Sequence, residues 1–361
     1  MGVLRTFLAI AVVVYHSYTI FGLRLCGGQL AVEAFFMISG FYMALVLNEK
    51  YVGAGYYKKF IVSRLLRIFP VYWIVLVLAL LLSVVGYYSW GNAYYLTRYI
   101  NHYDCFSPLT IMFFVIENSI IIGQDMLYFL RIDAWCKPQF EYHALLFKHS
   151  ANQYLFVPQA WSISLELLFY AIAPFIVTKK IRWQLIIIIL LFGLKWIYAF
   201  HFNLSIDPWT YRFFPFELGF FILGSLAYQV YTIIKNTTAT NNIGKVLLLI
   251  CLLAIVFVAQ SPLHKNITNT LFYAIIFCSI PFIFNTFKNN AIDRYIGELS
   301  FSIYISHLLI VSILHPIFFK QVLPMAYYGM ATLFFSLGLA LILHHWVVKP
   351  LDKWRIQRIA I

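Results

Sequence analysis

Residues 8–17 read Leu8-Ala-Ile-Ala-Val-Val-Val-Tyr15-His16-Ser17, an apolar run that ends on a histidine. Together with the apolar residues before it, this run predicts a membrane-spanning helix close to the amino end of the chain. An ionisable imidazole inside such a helix is costly unless it faces the protein interior, and it therefore marks a candidate functional site. We predict that His16 carries chemistry.

The composition indicates a membrane protein with many spans. Of 361 residues, 63% are hydrophobic and 11% are charged, and the mean hydropathy is +0.83. So few polar groups cannot cover the surface of a soluble globule. The formal net charge of +13 does not indicate nucleic acid as a partner, because the basic residues lie between apolar segments as topology signals.

The apolar runs predict an all-α polytopic fold of about ten transmembrane helices. These lie at roughly 3–22, 29–48, 65–86, 158–177, 183–201, 213–233, 245–260, 269–286, 299–318 and 326–348. With Arg5 in the cytoplasm, most of the 26 Lys and Arg residues fall on the cytoplasmic side, including Lys349, Lys353, Arg355 and Arg358 near the carboxyl end. The positive-inside rule then places both termini in the cytoplasm.

We expect residues 1–361 to form a single integral-membrane domain. It contains a long outer segment at about 87–157 and a short cytoplasmic tail at 349–361. We expect no cleaved export signal, because no small-x-small cleavage site follows the first apolar stretch.

The outer segment contains a short apolar stretch, residues 109–123, that includes Glu117 and Asn118. We predict that this stretch is re-entrant or lies at the membrane interface. The alternative is an eleventh span, which would place Lys179, Lys180 and Arg182 outside.

The five cysteines suggest no metal site, since there is no CxxC pair or His-x-x-x-His cluster. Cys26, Cys105 and Cys136 fall on the outer side, whereas Cys251 and Cys278 fall in spans. This distribution permits one outer disulfide without requiring it and leaves the pairing open.

Glu33 lies a few residues into the second span from the outer side, and His16 lies a similar distance from the outer end of the first. At 1.5 Å per residue both should lie at about the same depth, where they could pair directly. The alternative is that Glu33 only caps a helix near the interface.

Further polar residues in the spans suggest a polar cavity in the helix bundle that opens outward. Glu166 enters the fourth span from outside, Arg212 and Glu217 begin the sixth, and His307 is near the middle of the ninth. Each has a structural alternative. The two carboxylates can neutralise Arg212 or a backbone end, and His307 can be an interhelical hydrogen-bonding residue.

Arg64 and Arg67 lie three residues apart where the third helix enters the membrane, just before Tyr72 and Trp73. This spacing places both guanidinium groups on one helical face, which suits contact with phosphate. The alternative is a positive-inside anchor with an interfacial Tyr-Trp belt. Taken alone, the arginine pair favours the anchor.

Six blocks of sequence, in order, resemble the integral-membrane acyltransferase 3 family. Arg64-Leu-Leu-Arg67-Ile-Phe-Pro70 is similar to its Arg-x-x-Arg-Ile-x-Pro element, and Trp161-Ser-Ile-Ser-Leu-Glu166-Leu-Leu-Phe-Tyr170 is similar to its Trp-Ser-Leu-Ser-x-Glu-x-x-Phe-Tyr element. The other blocks are residues 4–16, 31–41, 212–219 and 297–307. No block is specific alone, but a chance match of all six in order is very improbable.

The resemblance implies transfer of an acyl group, usually acetyl, from cytoplasmic acyl-CoA to a hydroxyl of a glycan or lipid-linked sugar. His16 then matches the family's essential histidine, and Arg64 and Arg67 match the pair associated with the acyl donor. Tyr72 and Trp73 are grouped with this pair as candidate donor-binding residues. The resemblance therefore favours coenzyme A phosphate over a simple anchor. We expect no permanently bound cofactor, since acetyl-CoA is a substrate.

The mechanistic hypothesis is that neutral His16 takes the proton from the acceptor hydroxyl while Glu33 fixes the imidazole tautomer. In a second version His16 transiently carries the acyl group, and the residues do not separate the two. Six further residues are candidate substrate-binding or supporting residues: Trp161, Ser164, Glu166, Arg212, Glu217 and His307.

The chain departs from the family where many members carry a Glu-x-Pro element after the last span, because it reads Lys349-Pro350 there. The leading expectation for the acceptor is a surface polysaccharide such as the lipopolysaccharide O-antigen; peptidoglycan, a glycolipid or a secondary metabolite remain open. A transporter of a small molecule or glycolipid is the competing class. We expect a monomer among membrane lipids, in the bacterial inner membrane.

Overall fold

The computed structural model describes residues 1–53, 55–236, 240–319 and 324–359, and it is 78% helical. The helices are α1 Gly2–His16, α2 Gly27–Glu49, α3 Tyr56–Trp90, α4 Thr97–Asn101, α5 Pro108–Ile120, α6 Trp161–Ile176, α7 Ile181–His201, α8 Phe214–Ile234, α9 Thr240–Phe257, α10 Lys265–Phe287, α11 Ala291–Phe319, α12 Tyr328–Leu343 and α13 Lys349–Ile359, with a π-helical turn at His344–Val348 between the last two. Two short strands, β1 Leu130–Ile132 and β2 Pro138–Phe140, pair antiparallel.

The described residues include nine helices that are long and apolar enough to cross a membrane. This confirms the predicted all-α polytopic fold and shows an integral, multi-pass membrane protein. The predicted tail forms α13, and its last two residues, 360–361, lie outside the described residues.

The first predicted span differs from the helix observed. Helix α1 ends at His16 after 15 residues, which at 1.5 Å per residue is short of a hydrocarbon core of about 30 Å. The backbone leaves the helical conformation at Ser17, where φ is −114° and ψ is −98°, and the Ser17 hydroxyl donates to the Val13 carbonyl oxygen at 2.8 Å. The stretch predicted to be re-entrant or interfacial forms α5, whose 13 residues are also too few for a span.

The chain divides into two compact units. The first unit contains residues 1–67, 170–189 and 218–361, and the second contains residues 68–169 and 190–217.

In the first unit, α1 and α11 run parallel and are joined at their amino ends. The Asp293 carboxylate accepts hydrogen bonds from the backbone N–H groups of Gly2 and Val3 at 2.8 and 2.9 Å. An acidic side chain at this position pairs with backbone N–H groups that have no partner within the helix, and its negative charge interacts favourably with the positive end of the helix dipole. A Cβ on Gly297 would lie 2.6 Å from the Gly2 Cα, so only glycine allows this approach without a shift of the backbone.

Helices α2 and α8 pack through two glycines. A Cβ on Gly40 would lie 1.8 Å from the Phe221 carbonyl oxygen, and a Cβ on Gly224 would lie 1.8 Å from the Met37 carbonyl oxygen. Small residues at such positions let membrane helices approach backbone to backbone. Phe36 then stacks on Phe221, with ring centroids 4.5 Å apart.

In the second unit, a disulfide and several hydrogen bonds hold the predicted outer segment together. Cys105 and Cys136 form a disulfide, whereas Cys26 is a free, buried thiol. Asn118 accepts from the Phe156 backbone N–H at 2.8 Å and donates to the Tyr154 carbonyl oxygen at 3.0 Å. This amide fixes α5 against the chain that leads into α6.

Candidate functional site

His16 is exposed at the carboxyl end of α1, and the ring beside it belongs to His307 of α11. The two ring centroids are 5.2 Å apart, with the planes tilted by 39°. The parallel register of α1 and α11 explains this meeting, because Gly2 lies beside Asp293 at the other end of the same pair of helices. The sequence predicted both histidines as site residues, and the structure brings them together.

His307 is fully buried, and its Nδ1 lies 2.6 Å from the Tyr304 carbonyl oxygen. Because a carbonyl only accepts, Nδ1 carries the hydrogen in this arrangement. The Nε2 atom has no hydrogen-bond partner among the described residues. His307 therefore presents a second imidazole nitrogen with spare capacity next to His16.

Glu33 is 1% exposed and lies inside α2. Its Oε1 accepts from Gln29 Nε2 at 3.2 Å, and its Oε2 accepts from the Tyr273 hydroxyl of α10. Buried carboxylates require such partners, since an unsatisfied one costs several kcal/mol or shifts to its neutral form. The pairing of Glu33 with His16 stays a prediction.

Arg64 and Arg67 lie about two and three turns after the start of α3 and are half-buried. The Arg64 guanidinium lies over the Phe60 ring at 5.8 Å, and its Nε is buried with no hydrogen-bond partner among the described residues. Both guanidinium groups interact electrostatically with Arg355 of α13. The structure thus gives the pair a common neighbour, and their predicted contact with phosphate stays a prediction.

Tyr72 and Trp73 belong to the second unit and have polar partners in α5. The Tyr72 hydroxyl donates to the Asn118 carbonyl oxygen at 2.5 Å, and Trp73 Nε1 donates to the Ser119 carbonyl oxygen at 2.9 Å. These bonds fix α5 to α3. The structure shows a packing role for both, and their predicted contact with the donor stays a prediction.

Ser164 positions the turn that follows α5. Its hydroxyl donates to Asp125 Oδ1 at 2.6 Å and accepts from the Gly123 backbone N–H at 2.9 Å. Glu117 lies close to the same turn, since a Cβ on Gly123 would be 3.1 Å from its Oε2. Burial, and to a smaller degree the Asp125 charge, raise the pKa of Glu117 to about 7.

Arg212 is held among aromatic rings and one carboxylate. Its guanidinium carbon lies 4.0 Å from the centre of the Tyr128 ring and 4.2 Å from that of Trp161. Arg212 Nε donates to Asp207 Oδ1 at 2.9 Å. Cation–π contact and a charge-assisted bond together fix the side chain. The predicted residues Trp161 and Arg212 therefore meet.

Glu217 is fully buried and pairs with Lys195 of α7 at 3.1 Å. One alternative from the sequence was that Glu217 neutralises Arg212, but the carboxylate observed beside Arg212 is that of Asp207. Glu166 is half-buried on α6, also within the second unit. The substrate-binding or supporting roles of these residues stay predictions.

Sequence reasoning did not single out Tyr273, Asp125 or Asp207 as site residues. A tyrosine in an apolar span carries no signal of its own, because tyrosines are frequent in this chain. Asp207 precedes Pro208 only five residues before Arg212, and that spacing could have suggested the pair. Among the described residues, no group of three or more His, Cys, Asp or Glu side chains is placed to hold a metal ion.

The chain matches a protein-family model described as an acyltransferase domain, that of the acyltransferase 3 family, over residues 1–345. No curated protein sequence and no solved structure matches the chain significantly. The family match covers nearly the whole chain, including both histidines and both arginines of the first unit. The chain therefore belongs to the acyltransferase 3 family.

Proposed function

We propose that this membrane acyltransferase moves an acetyl group from cytoplasmic acetyl-CoA to a hydroxyl of a cell-surface glycan, with the lipopolysaccharide O-antigen as the leading acceptor and the bacterial inner membrane as its location. The observation that carries the proposal is the exposed imidazole of His16 beside the buried ring of His307. A sugar hydroxyl is a poor nucleophile at neutral pH, and an accessible imidazole supplies the base that it needs.

In the proposed reaction, a nitrogen of His16 takes the proton from the acceptor hydroxyl as the oxygen attacks the thioester carbonyl. The new C–O bond forms, the C–S bond breaks, and the proton passes from the imidazolium to the leaving thiolate. His16 is the last residue of α1, and the negative end of the helix dipole favours the imidazolium that forms on the way.

The short length of α1 supports access to His16 from both sides of the membrane. Its 15 residues rise by about 21 Å, less than the hydrocarbon core of about 30 Å. A base at the end of such a short helix lies within the membrane layer, where a flexible thioester arm entering from the cytoplasm can reach it. Acceptors on the far side could then be modified without releasing the donor there.

In the proposal, binding of the acyl donor depends on Arg64 and Arg67. Half-buried guanidinium groups three residues apart on one helix suit phosphate, because each offers a planar fork of N–H donors. In the proposal they bind the phosphates of coenzyme A on the cytoplasmic side. Tyr72 and Trp73 are secondary candidates, because their polar atoms already bind α5.

The test compares surface polysaccharide from cells that carry the wild-type gene, a deletion, His16→Ala or His345→Ala. His345 is an exposed histidine of the same unit and serves as the matched control. Loss of a general base costs about 100- to 10,000-fold in rate, so we expect acetyl esters by mass spectrometry with the wild type and His345→Ala only. If the His16→Ala protein is folded and its strain shows wild-type acetylation, the catalytic role of His16 is refuted. Identical glycans in all four strains would favour another acceptor or the transporter class.

A further inference from the structure

Arg355 of α13 lies against the beginning of α3. Its Nη1 is 3.4 Å from the Ser63 carbonyl oxygen, and Ser63 directly precedes Arg64. Its Nη2 lies 2.7 Å from Asp352 Oδ1 on the same helix, and the side chain is 15% exposed. The guanidinium is therefore oriented by two contacts and not extended freely into water.

Three like charges meet at this place. Arg355 contacts Ser63, which precedes Arg64 and lies four residues before Arg67 on the same helix, and the charges of both arginines act on it. Arg64 Nε is buried with no hydrogen-bond partner among the described residues. The carboxylate recorded beside Arg355 is Asp352. Like charges in a partly buried site repel unless an anion joins them, so the cluster has the character of a preformed anion site.

The helix that carries Arg355 follows a turn that contacts α11. Helix α13 follows the π-helical turn that contains His344, and π-turns inside helices often occur at functional sites. His344 is buried, with its Nε2 3.7 Å from Glu298 Oε2 and its ring edge-on to Tyr295. These contacts tie the turn to α11. Arg355 lies beyond residue 345, where the family match ends.

We propose that Arg355 is a third phosphate-binding residue of the donor site, acting with Arg64 and Arg67. This inference rests on the proposed function, in which acyl-CoA is the donor. Coenzyme A carries a pyrophosphate and a separate phosphate, and three guanidinium groups match that charge better than two. Asp352 orients the Arg355 fork, so that its remaining N–H donors are available to phosphate oxygens.

The test uses the full-length protein in nanodiscs of neutral phosphatidylcholine. Equilibrium binding of coenzyme A and of pantetheine, which lacks all phosphates, is measured for the wild type, Arg355→Gln, Arg355→Lys and Lys353→Gln. Lys353 is an exposed cation two residues away on the same helix. We expect Arg355→Gln to weaken coenzyme A binding by about 10- to 100-fold, with pantetheine binding unchanged. Arg355→Lys should restore part of the loss, and Lys353→Gln should bind as the wild type does.

Equal weakening for coenzyme A and pantetheine would show a structural role and overturn the inference. So would an Arg355→Gln protein that binds coenzyme A normally, or a wild type that does not bind it at all. Repeating the titration with anionic phosphatidylglycerol tests lipid headgroups as the source of phosphate. If that lipid blocks coenzyme A at Arg355 and stabilises only the wild type, the cluster is a lipid anchor and the inference fails. Arg355-dependent binding of coenzyme A without acetyl transfer would instead refute the proposed function and leave the phosphate site standing.

Discussion

The hydroxyl of Tyr273 donates a hydrogen bond to the carboxylate of Glu33, which joins α10 to α2 across 240 positions of sequence. Glu33 is almost fully buried and also accepts from Gln29. A carboxylate in such a place keeps one orientation only while its donors remain. Tyr273 is therefore a positioning residue for the acid that we propose orients His16.

Replacing Tyr273 with phenylalanine removes this donor while keeping the ring, which packs on Phe220 at 4.9 Å. A hydrogen bond to a charged group contributes about 1.5–3 kcal/mol, and we expect kcat to fall by roughly ten-fold. The KM for the proposed donor, acetyl-CoA, should not change. The measurement is steady-state transfer of labelled acetyl groups, with the pH profile recorded for both proteins.

The control for this variant is Tyr327→Phe, since Tyr327 is 56% exposed and lies in the same unit. It should retain wild-type kinetics. A Tyr273→Phe protein with normal kcat and an unchanged pH profile would show that Glu33 does not depend on Tyr273. If only the KM for the acyl donor rises, Tyr273 acts in binding the donor and not in positioning Glu33.

Much of the fold could be predicted from the sequence because long apolar runs have few structural solutions in a membrane. The exception is α1. Its apolar residues continue past His16 into Tyr18 and Ile20, but the backbone leaves the helical conformation at Ser17. A change of backbone conformation at one residue does not alter hydropathy, so the apolar pattern does not reveal it.

The candidate site was predictable as a set of residue types but not as a set of partners. His16 and His307 are both ionisable residues inside apolar runs, which predicts them as site residues, and they meet. The sequence does not predict the partners of Arg212 and Glu33, because Asp207 and Tyr273 lie outside the family's sequence blocks. Pairing depends on helix register, which hydropathy does not specify.

The glycine contacts between α2 and α8 predict a steric effect. In Gly224→Ala the new Cβ would lie 1.8 Å from the Met37 carbonyl oxygen, so the two helices must move apart. Overpacking of this kind costs about 1–3 kcal/mol, and we expect a lower melting temperature in detergent. Differential scanning fluorimetry measures it.

The matched control is Gly338→Ala in α12, where a Cβ would meet no atom within 4 Å. This variant should melt at or slightly above the wild-type temperature, because alanine is the better helix former by about 1 kcal/mol. If both variants melt as the wild type does, α2 and α8 do not approach through Gly224.

The disulfide between Cys105 and Cys136 predicts redox-dependent stability of the outer segment. It closes a loop with a sequence separation of 31, for which chain entropy gives a contribution of roughly 3–4 kcal/mol. Reductant, or Cys105→Ser with Cys136→Ser, should lower the melting temperature. Cys278→Ser, which removes an exposed free thiol, should not. Thiol labelling of the denatured protein should modify Cys26, Cys251 and Cys278 without reductant; labelling of all five would contradict the bridge.

Glu117 predicts a pH dependence of stability in the second unit. Burial and the Asp125 charge raise its pKa to about 7, whereas the pKa of glutamate in an unfolded chain is about 4.3. Between these values the folded protein holds a proton that the unfolded chain has released. The free energy of unfolding therefore falls as pH rises from about 4.5 to about 7. Burial also raises the pKa of Asp125, which adds a slope of the same sign.

The variant Glu117→Gln keeps the shape of the side chain and removes its titration. We expect the wild type to melt at a higher temperature at pH 5 than at pH 7.5, and Glu117→Gln to show a smaller difference. Asp104→Asn, which changes an exposed carboxyl of the same unit, should keep the wild-type difference. An undiminished pH difference in Glu117→Gln would mean that Glu117 is ionised and solvated in the folded protein, because only a proton retained on folding produces this slope.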